Sequence, residues 1–274
     1  MGLPAWSEPP MDGSAWISGK NEWAGRKTDR PIADGSSLGM LWPMAKLDFP
    51  LYHGTCTLFV ESIGKHGLGG WDPIKEWRVL ECLQKVLPIA EKHAASSEII
   101  RNNIGNAQLM AKQVNGGLNF QHGAVYLSPS RETAVRYACG KKKGSELISR
   151  TVLLIDELCR LDVKEVKLDL FQEYPEMFNV MDIDAAPVLI WIPQADTDML
   201  LSERGESPAD TLAKIRGIQT RLPDRWESVC QQMNFRLTQP ISADEISVGL
   251  IAVRKWRPYQ IDYSLLPIDL PPNE

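Results

Sequence analysis

The sequence predicts an α+β fold. Short apolar runs at 49–52, 123–128, 150–158, 188–192 and 246–253, most of them bounded by Gly, Pro or polar residues, read as strands. Segments 73–115 and 207–233 carry apolar residues at helical spacing instead. The two kinds of segment follow each other without the strand–helix rhythm of a doubly wound sheet, and no internal repeat is present.

The elements can be justified in order. Residues 1–48 set Trp6, Trp16, Trp23 and Trp42 among Pro4, Pro9, Pro10, Pro31 and Pro43. Prolines at that density interrupt regular elements, so an irregular arm is expected. The main domain is expected over 49–257. Phe49 to Tyr52 reads as a strand end, His53-Gly54-Thr55 as the turn that follows, and Leu58, Phe59 and Ile63 as the start of a helix that Gly67, Gly69 and Gly70 end. A helical insertion is expected at about 70–120. It carries one stripe from Ile74 to Leu87 and another from Ile99 to Met110, followed by a loop at 115–122.

Gly123 to Ser128 reads as a short buried strand, and Ser130 as the N-cap of the next helix. The run Thr151-Val152-Leu153-Leu154-Ile155 within 150–158 reads as a strand, and so does Val188 to Ile192. Leu212, Ile215, Ile218, Leu222 and Trp226 form a helical stripe. Phe235-Arg236-Leu237 alternates as a strand, and Ile246 to Val253 is the last one. The tail 258–274 is rich in proline and is expected to be irregular.

Composition narrows the function classes. The chain has 274 residues and a net charge of −5, so no global basic field advertises nucleic acid. The one basic run, Lys141-Lys142-Lys143, reads as a solvated loop. The five cysteines are scattered and form no CxxC or Cys/His cluster, so no metal site is expected and reduced cytoplasmic thiols are. No stretch approaches transmembrane length, and no membrane partner is expected. No GxGxxG, P-loop, HExxH or GxSxG motif is present.

Two segments carry chemistry. One is Leu51-Tyr52-His53-Gly54-Thr55, with Ile63 and Gly67-Leu68 downstream. The other is Tyr126-Leu127-Ser128-Pro129-Ser130, with Ala134 and Tyr137 downstream. Together, in this order, they resemble the ADP-ribosyltransferase family, in its diphtheria-toxin-like and PARP-like branch. The spacing from Tyr126 to Tyr137 matches that branch, and Ala134 stands where it keeps a small residue.

The resemblance implies a split-sheet ADP-ribosyltransferase core with NAD as substrate. His53 would bond the adenosine ribose, and Gly54 would let its backbone approach the nicotinamide carboxamide. Tyr137 would stack on the nicotinamide ring, with Tyr126 as the other wall. Thr55 either bonds ribose or caps the following helix, and Ser128 either bonds the carboxamide or leads its helix. Outside the family, His53 reads as a strand-end histidine, Gly54 as a turn glycine and the tyrosines as core residues.

The chain departs from the family at a third motif. A glutamate there starts a late strand, orients the ribose and activates the acceptor. The matching strand here begins with Gln231, Gln232 and Asn234. Asn234 is the first choice for the position, with Gln232 and Gln239 behind it. An amide can bond a ribose hydroxyl but cannot take a proton, so a carboxylate from elsewhere is the other option: Asp156, Glu157, Glu132 or Glu245.

The expected activity is mono-ADP-ribosyl transfer to a macromolecular acceptor, nucleic acid or protein, by an intracellular toxin or antiviral defence effector restrained by an antitoxin. The alternatives are an RNA 2′-phosphotransferase-like enzyme, whose RAxxGH signature is absent, and an inactive binding module of the same fold.

Overall fold

The computed structural model describes residues 46–112, 114–115, 118–119, 122–257 and 260–271. The expected arm lies almost wholly outside the described residues. In chain order the elements are β1 (Leu51–Cys56), α1 (Val60–His66), α2 (Pro73–Glu76), α3 (Val79–His93), α4 (Glu98–Ala111), β2 (Val114–Asn115), β3 (Leu118–Asn119), β4 (Tyr126–Leu127), α5 (Arg131–Gly140), α6 (Glu146–Arg160), α7 (Phe171–Glu173), α8 (Pro175–Asp182), β5 (Pro187–Ile192), β6 (Leu200–Ser202), α9 (Ala209–Arg221), α10 (Trp226–Val229), β7 (Phe235–Leu237), β8 (Ser247–Arg257) and β9 (Gln260–Ile268). The fold is α+β. It is built on a four-stranded antiparallel sheet, β1-β5-β8-β9, and a three-stranded antiparallel sheet, β4-β7-β6. β2 and β3 form a small hairpin within the stretch expected to be a loop.

The four-stranded sheet is apolar on both faces. Leu51, Val188, Ile190, Ile192 and Val248 share the main core with α1, α3, α4, α6 and α8. The opposite face, with Tyr52, Leu189, Ile251 and Ile261, is covered by Ala134, Val135 and Ala138 of α5. The period-2 alternation along β1 and β5 therefore sends neighbouring residues into two different cores.

Three expectations change. His53-Gly54-Thr55 does not turn the chain: all three residues lie in β1, in register with β5 from Leu51↔Ile192 to Cys56↔Pro187. Gly54 stays extended because a helix, not a turn, needs its missing Cβ.

The run at 150–158 is not a strand but the body of α6. Its buried positions Leu147, Thr151, Leu154 and Leu158, together with Ile148, Val152 and Ile155, recur at helical spacing. Val152-Leu153-Leu154-Ile155 is a continuous apolar run, and the helical period shows only over the full span Glu146–Arg160.

The tail is not irregular: β9 pairs with β8 from Val248↔Ile268 to Arg257↔Gln260. Pro267 fits because β9 is the sheet edge, where a missing N–H costs no ladder bond.

The other elements follow their local signals. Ser97 caps α4 through Ile100 N–H, Asp72 caps α2 through Ile74 N–H, and Ser130 caps α5 through Thr133 N–H. Gly67 ends α1 at φ +75°, and an added Cβ there would fall 2.4 Å from Ile241 O. The Leu68–Ile241 bridge beside it ties α1 to the chain after β7. Among the described residues no helix is long and apolar enough to cross a membrane.

Candidate functional site

The two sheets meet at one point. Tyr52 of β1 and Ser128, just after β4, exchange both main-chain hydrogen bonds at 2.8 Å. Beyond this bridge β1 and β4 separate into a fork, and the His53 ring enters it. His53 Nδ1 bonds the main-chain oxygen of Tyr126 at 2.9 Å. A carbonyl oxygen only accepts, so Nδ1 carries the proton and Nε2 is the acceptor. Burial pushes the imidazole below its usual value, and the Tyr126 carbonyl pulls weakly the other way. The ring is therefore neutral at neutral pH.

Gly54 lies two residues after Tyr52, so its N–H and C=O point to the same side, into the fork. Among the described residues neither group has a partner. Gly54 is buried nonetheless, because α5 crosses directly over it. An added Cβ would lie 2.0 Å from the Ala134 carbonyl oxygen and 3.0 Å from the Ala138 nitrogen. The glycine is thus required by the close approach of a helix. The space a Cβ would fill is taken by α5.

α5 also carries Tyr137, one turn beyond Ala134. The residue is 39% exposed. Its hydroxyl end is enclosed at the start of α6: burial, reinforced by the Glu146 carboxylate, pushes the phenol up to about 12, while a bond from the Glu146 backbone opposes the rise. Tyr137 thus presents its ring while its hydroxyl is held. Tyr126, on β4, is half-buried. Burial and the nearby Glu203 carboxylate raise its hydroxyl, and Arg236 opposes them.

The remaining expected residues divide. Ser128 Oγ accepts from Ser130 N–H at 3.2 Å, so it leads its helix. Thr55 is 3% exposed and faces the loop before α6, with its Oγ1 2.9 Å from where a Gly144 Cβ would stand. It caps no helix: the short turn after β1 has no side-chain cap. Asn234 lies one residue before β7, just past the end of its pairing with β4 at Leu127↔Phe235. Gln239 is exposed two residues past the other end of β7, and Gln232 is exposed before the strand begins.

The four carboxylates suggested by sequence are engaged or lie elsewhere. Glu157 accepts from Ser97 at 2.7 Å and pairs with Arg160, Glu132 pairs with Arg136, and Glu245 lies 3.9 Å from Lys46. Asp156 is exposed on α6. The basic run is only partly solvated, because Lys141 pairs with Glu146 and Lys143 donates to the main-chain oxygens of Met181 and Ile183.

Two residues not singled out in the sequence lie near the Tyr126 hydroxyl, Arg236 and Glu203. Asn234 Nδ2 donates to Glu203 Oε2 at 3.4 Å. The Phe235-Arg236-Leu237 alternation marks Arg236 as facing away from the core. Glu203 had no comparable signal, since β6 is three residues long.

A cavity of about 310 Å³ beside the start of α5 is lined by Ser130, Glu132, Trp226 and Glu227, and by none of His53, Tyr126 and Tyr137. Among the described residues no group of three or more His, Cys, Asp or Glu side chains is placed to hold a metal ion.

No protein-family model matches the chain, and no curated protein or solved structure matches it either.

Proposed function

We propose that the chain is an NAD-dependent mono-ADP-ribosyltransferase, with the two sheets joined at Tyr52–Ser128 as the split sheet of that fold. The observation that carries the reading is the open strand edge at Gly54. One N–H donor and one C=O acceptor lie side by side in a fork, with an imidazole acceptor and a tyrosine ring nearby. A carboxamide has the complementary donor and acceptor, so the edge suits nicotinamide. His53 Nε2 accepts from a ribose hydroxyl, and Tyr137 offers its ring face at little cost in side-chain entropy.

In the reaction the nicotinamide–ribose bond breaks and the bond electrons leave with nicotinamide. The chain contributes by fixing the dinucleotide so that the sugar carbon is exposed to the acceptor. The acceptor is a macromolecule, nucleic acid or protein, and the helices of the 70–120 insertion are where its recognition is expected. An effector of this kind in the cytoplasm would be held in check by an antitoxin.

The test is incubation of the purified chain with NAD labelled in its ADP-ribose part, together with cell lysate. Label that survives protease but not nuclease identifies a nucleic-acid acceptor, and the reverse identifies a protein. Absence of both NAD consumption and label transfer would sink the assignment. If NAD binds but is not consumed, the chain is a binding module of this fold.

A further inference from the structure

We infer that Glu203 is the carboxylate that faces the sugar and takes the acceptor's proton, and that Asn234 positions it. The inference rests on the NAD reading above. It starts from register. The β4–β7 and β6–β7 registers end at Leu127↔Phe235 and Ser202↔Phe235, and Ser128, Asn234 and Glu203 each lie one residue past these ends. The Tyr52–Ser128 bridge joins this end to β1, so the strand order across it is β1, β4, β7, β6. Neighbouring strands lie about 5 Å apart, so β7 stands about 10 Å from β1, the strand that carries Gly54. That distance is spanned by a nicotinamide ring and its ribose.

Glu203 leans over β7 toward that ribose. Its carboxylate is 3.4 Å from the Asn234 amide nitrogen. It is also close enough to the Tyr126 hydroxyl to raise its pKa by its charge, and Tyr126 is the other expected wall of the nicotinamide site.

The backbone holds it there by a closed turn. Gly205 N–H bonds Ser202 O and Ser202 N–H bonds Glu206 O, both at 2.8 Å, and Glu206 N–H bonds Ser202 Oγ at 3.1 Å. Gly205, at φ +86°, lies against the Arg236 guanidinium, 3.4 Å from where its own Cβ would be. Glu203 therefore projects from a fixed turn, with Asn234 and Arg236 beneath it.

The step balances. The C1′–N bond of NAD breaks, and its electron pair leaves with nicotinamide, which becomes neutral. An acceptor O–H or N–H forms the new bond to C1′. Its proton passes to a Glu203 carboxylate oxygen and then to water. Asn234 donates to that carboxylate and cannot itself take the proton, which explains how an amide can occupy the start of β7 in a working site.

The test uses NAD with water as acceptor, reading nicotinamide release, alongside calorimetric NAD binding on the full chain. Glu203→Gln is expected to melt and to bind NAD like the wild type while nicotinamide release falls by at least 100-fold. Asn234→Ala is expected to lower release about tenfold and leave the affinity alone. In the double variant Glu203→Gln/Asn234→Glu, the carboxylate returns on the next strand and release recovers in part. Unchanged release in Glu203→Gln overturns the inference and leaves the NAD reading standing. Affinity and release lost in equal measure would make Glu203 a binding residue and also overturn it. A wild-type chain that neither binds nor cleaves NAD removes the reading itself.

Discussion

His53 and Tyr126, one on each sheet, are joined by a 2.9 Å bond from an imidazole nitrogen to a main-chain oxygen. The bond stands where the next backbone pair between β1 and β4 would form. It keeps the fork open, fixes the imidazole tautomer and leaves Nε2 as the acceptor for a ligand. The first prediction is that His53→Asn weakens NAD binding about tenfold, roughly the loss of one hydrogen bond at 1.4 kcal/mol. Calorimetric titration reads this directly, and an unchanged dissociation constant would remove His53 from the site.

The same residue sets a pH dependence. Burial lowers the His53 pKa in the folded chain below its ordinary value of 6.5. Between the folded value and 6.5 the unfolded chain binds more protons, so stability falls as pH falls and is fully present above 6.5. From pH 7 to pH 5.5 the melting temperature of the wild type is expected to drop more than that of His53→Asn. The comparison with His53→Asn isolates this one imidazole, and parallel curves would contradict the buried neutral ring.

Gly54→Ala tests the packing of α5 on β1. Its Cβ would stand 2.0 Å from the Ala134 carbonyl oxygen and 2.9 Å from the Ala134 carbonyl carbon, and neither backbone atom belongs to a flexible side chain that can move aside. Overpacking typically costs about 1–3 kcal/mol, and a backbone clash belongs at the upper end. Urea unfolding is expected to show a loss of about 3 kcal/mol. A variant as stable as the wild type would mean that α5 lies farther from β1.

Tyr137 separates ring from hydroxyl. Tyr137→Phe keeps the exposed face and is expected to bind NAD within about twofold of wild type. Tyr137→Ala loses aromatic contact worth about 0.5–1.5 kcal/mol and is expected to bind three- to tenfold more weakly. Equal binding by all three proteins would exclude stacking on this ring. Protein fluorescence on NAD titration provides the measurement.

What could be read along the chain was whatever has a local cause. Ser130 before Arg131-Glu132-Thr133 is a cap wherever it occurs, and the cap forms. The apolar periods of α3, α4 and α9 reflect one buried face each. α6 was misread because Val152-Leu153-Leu154-Ile155 is a continuous apolar run, and its helical period shows only over the full span Glu146–Arg160. β9 was misread because Pro258, Pro267 and Pro271 look like breakers until the strand is known to be an edge. His53, Gly54, Tyr126 and Tyr137 were singled out as a set by a resemblance in spacing, and of these the structure joins His53 to the main chain of Tyr126.

The sequence by itself thus determined the mixed α+β class, most helices, the strand positions around His53 and Tyr126, and the lack of a carboxylate at the head of β7. Only the tertiary structure decided that His53 lies within a strand, that α5 crosses over Gly54, and that Glu203 meets Asn234 from 31 positions away. The physical reason is the size of β6 and β7: β7 alternates visibly but the three residues of β6 do not, and neither strand is long enough to name its partners. Their partners are chosen by the cores they close, and pairing register then aligns side chains that no stretch of local sequence relates.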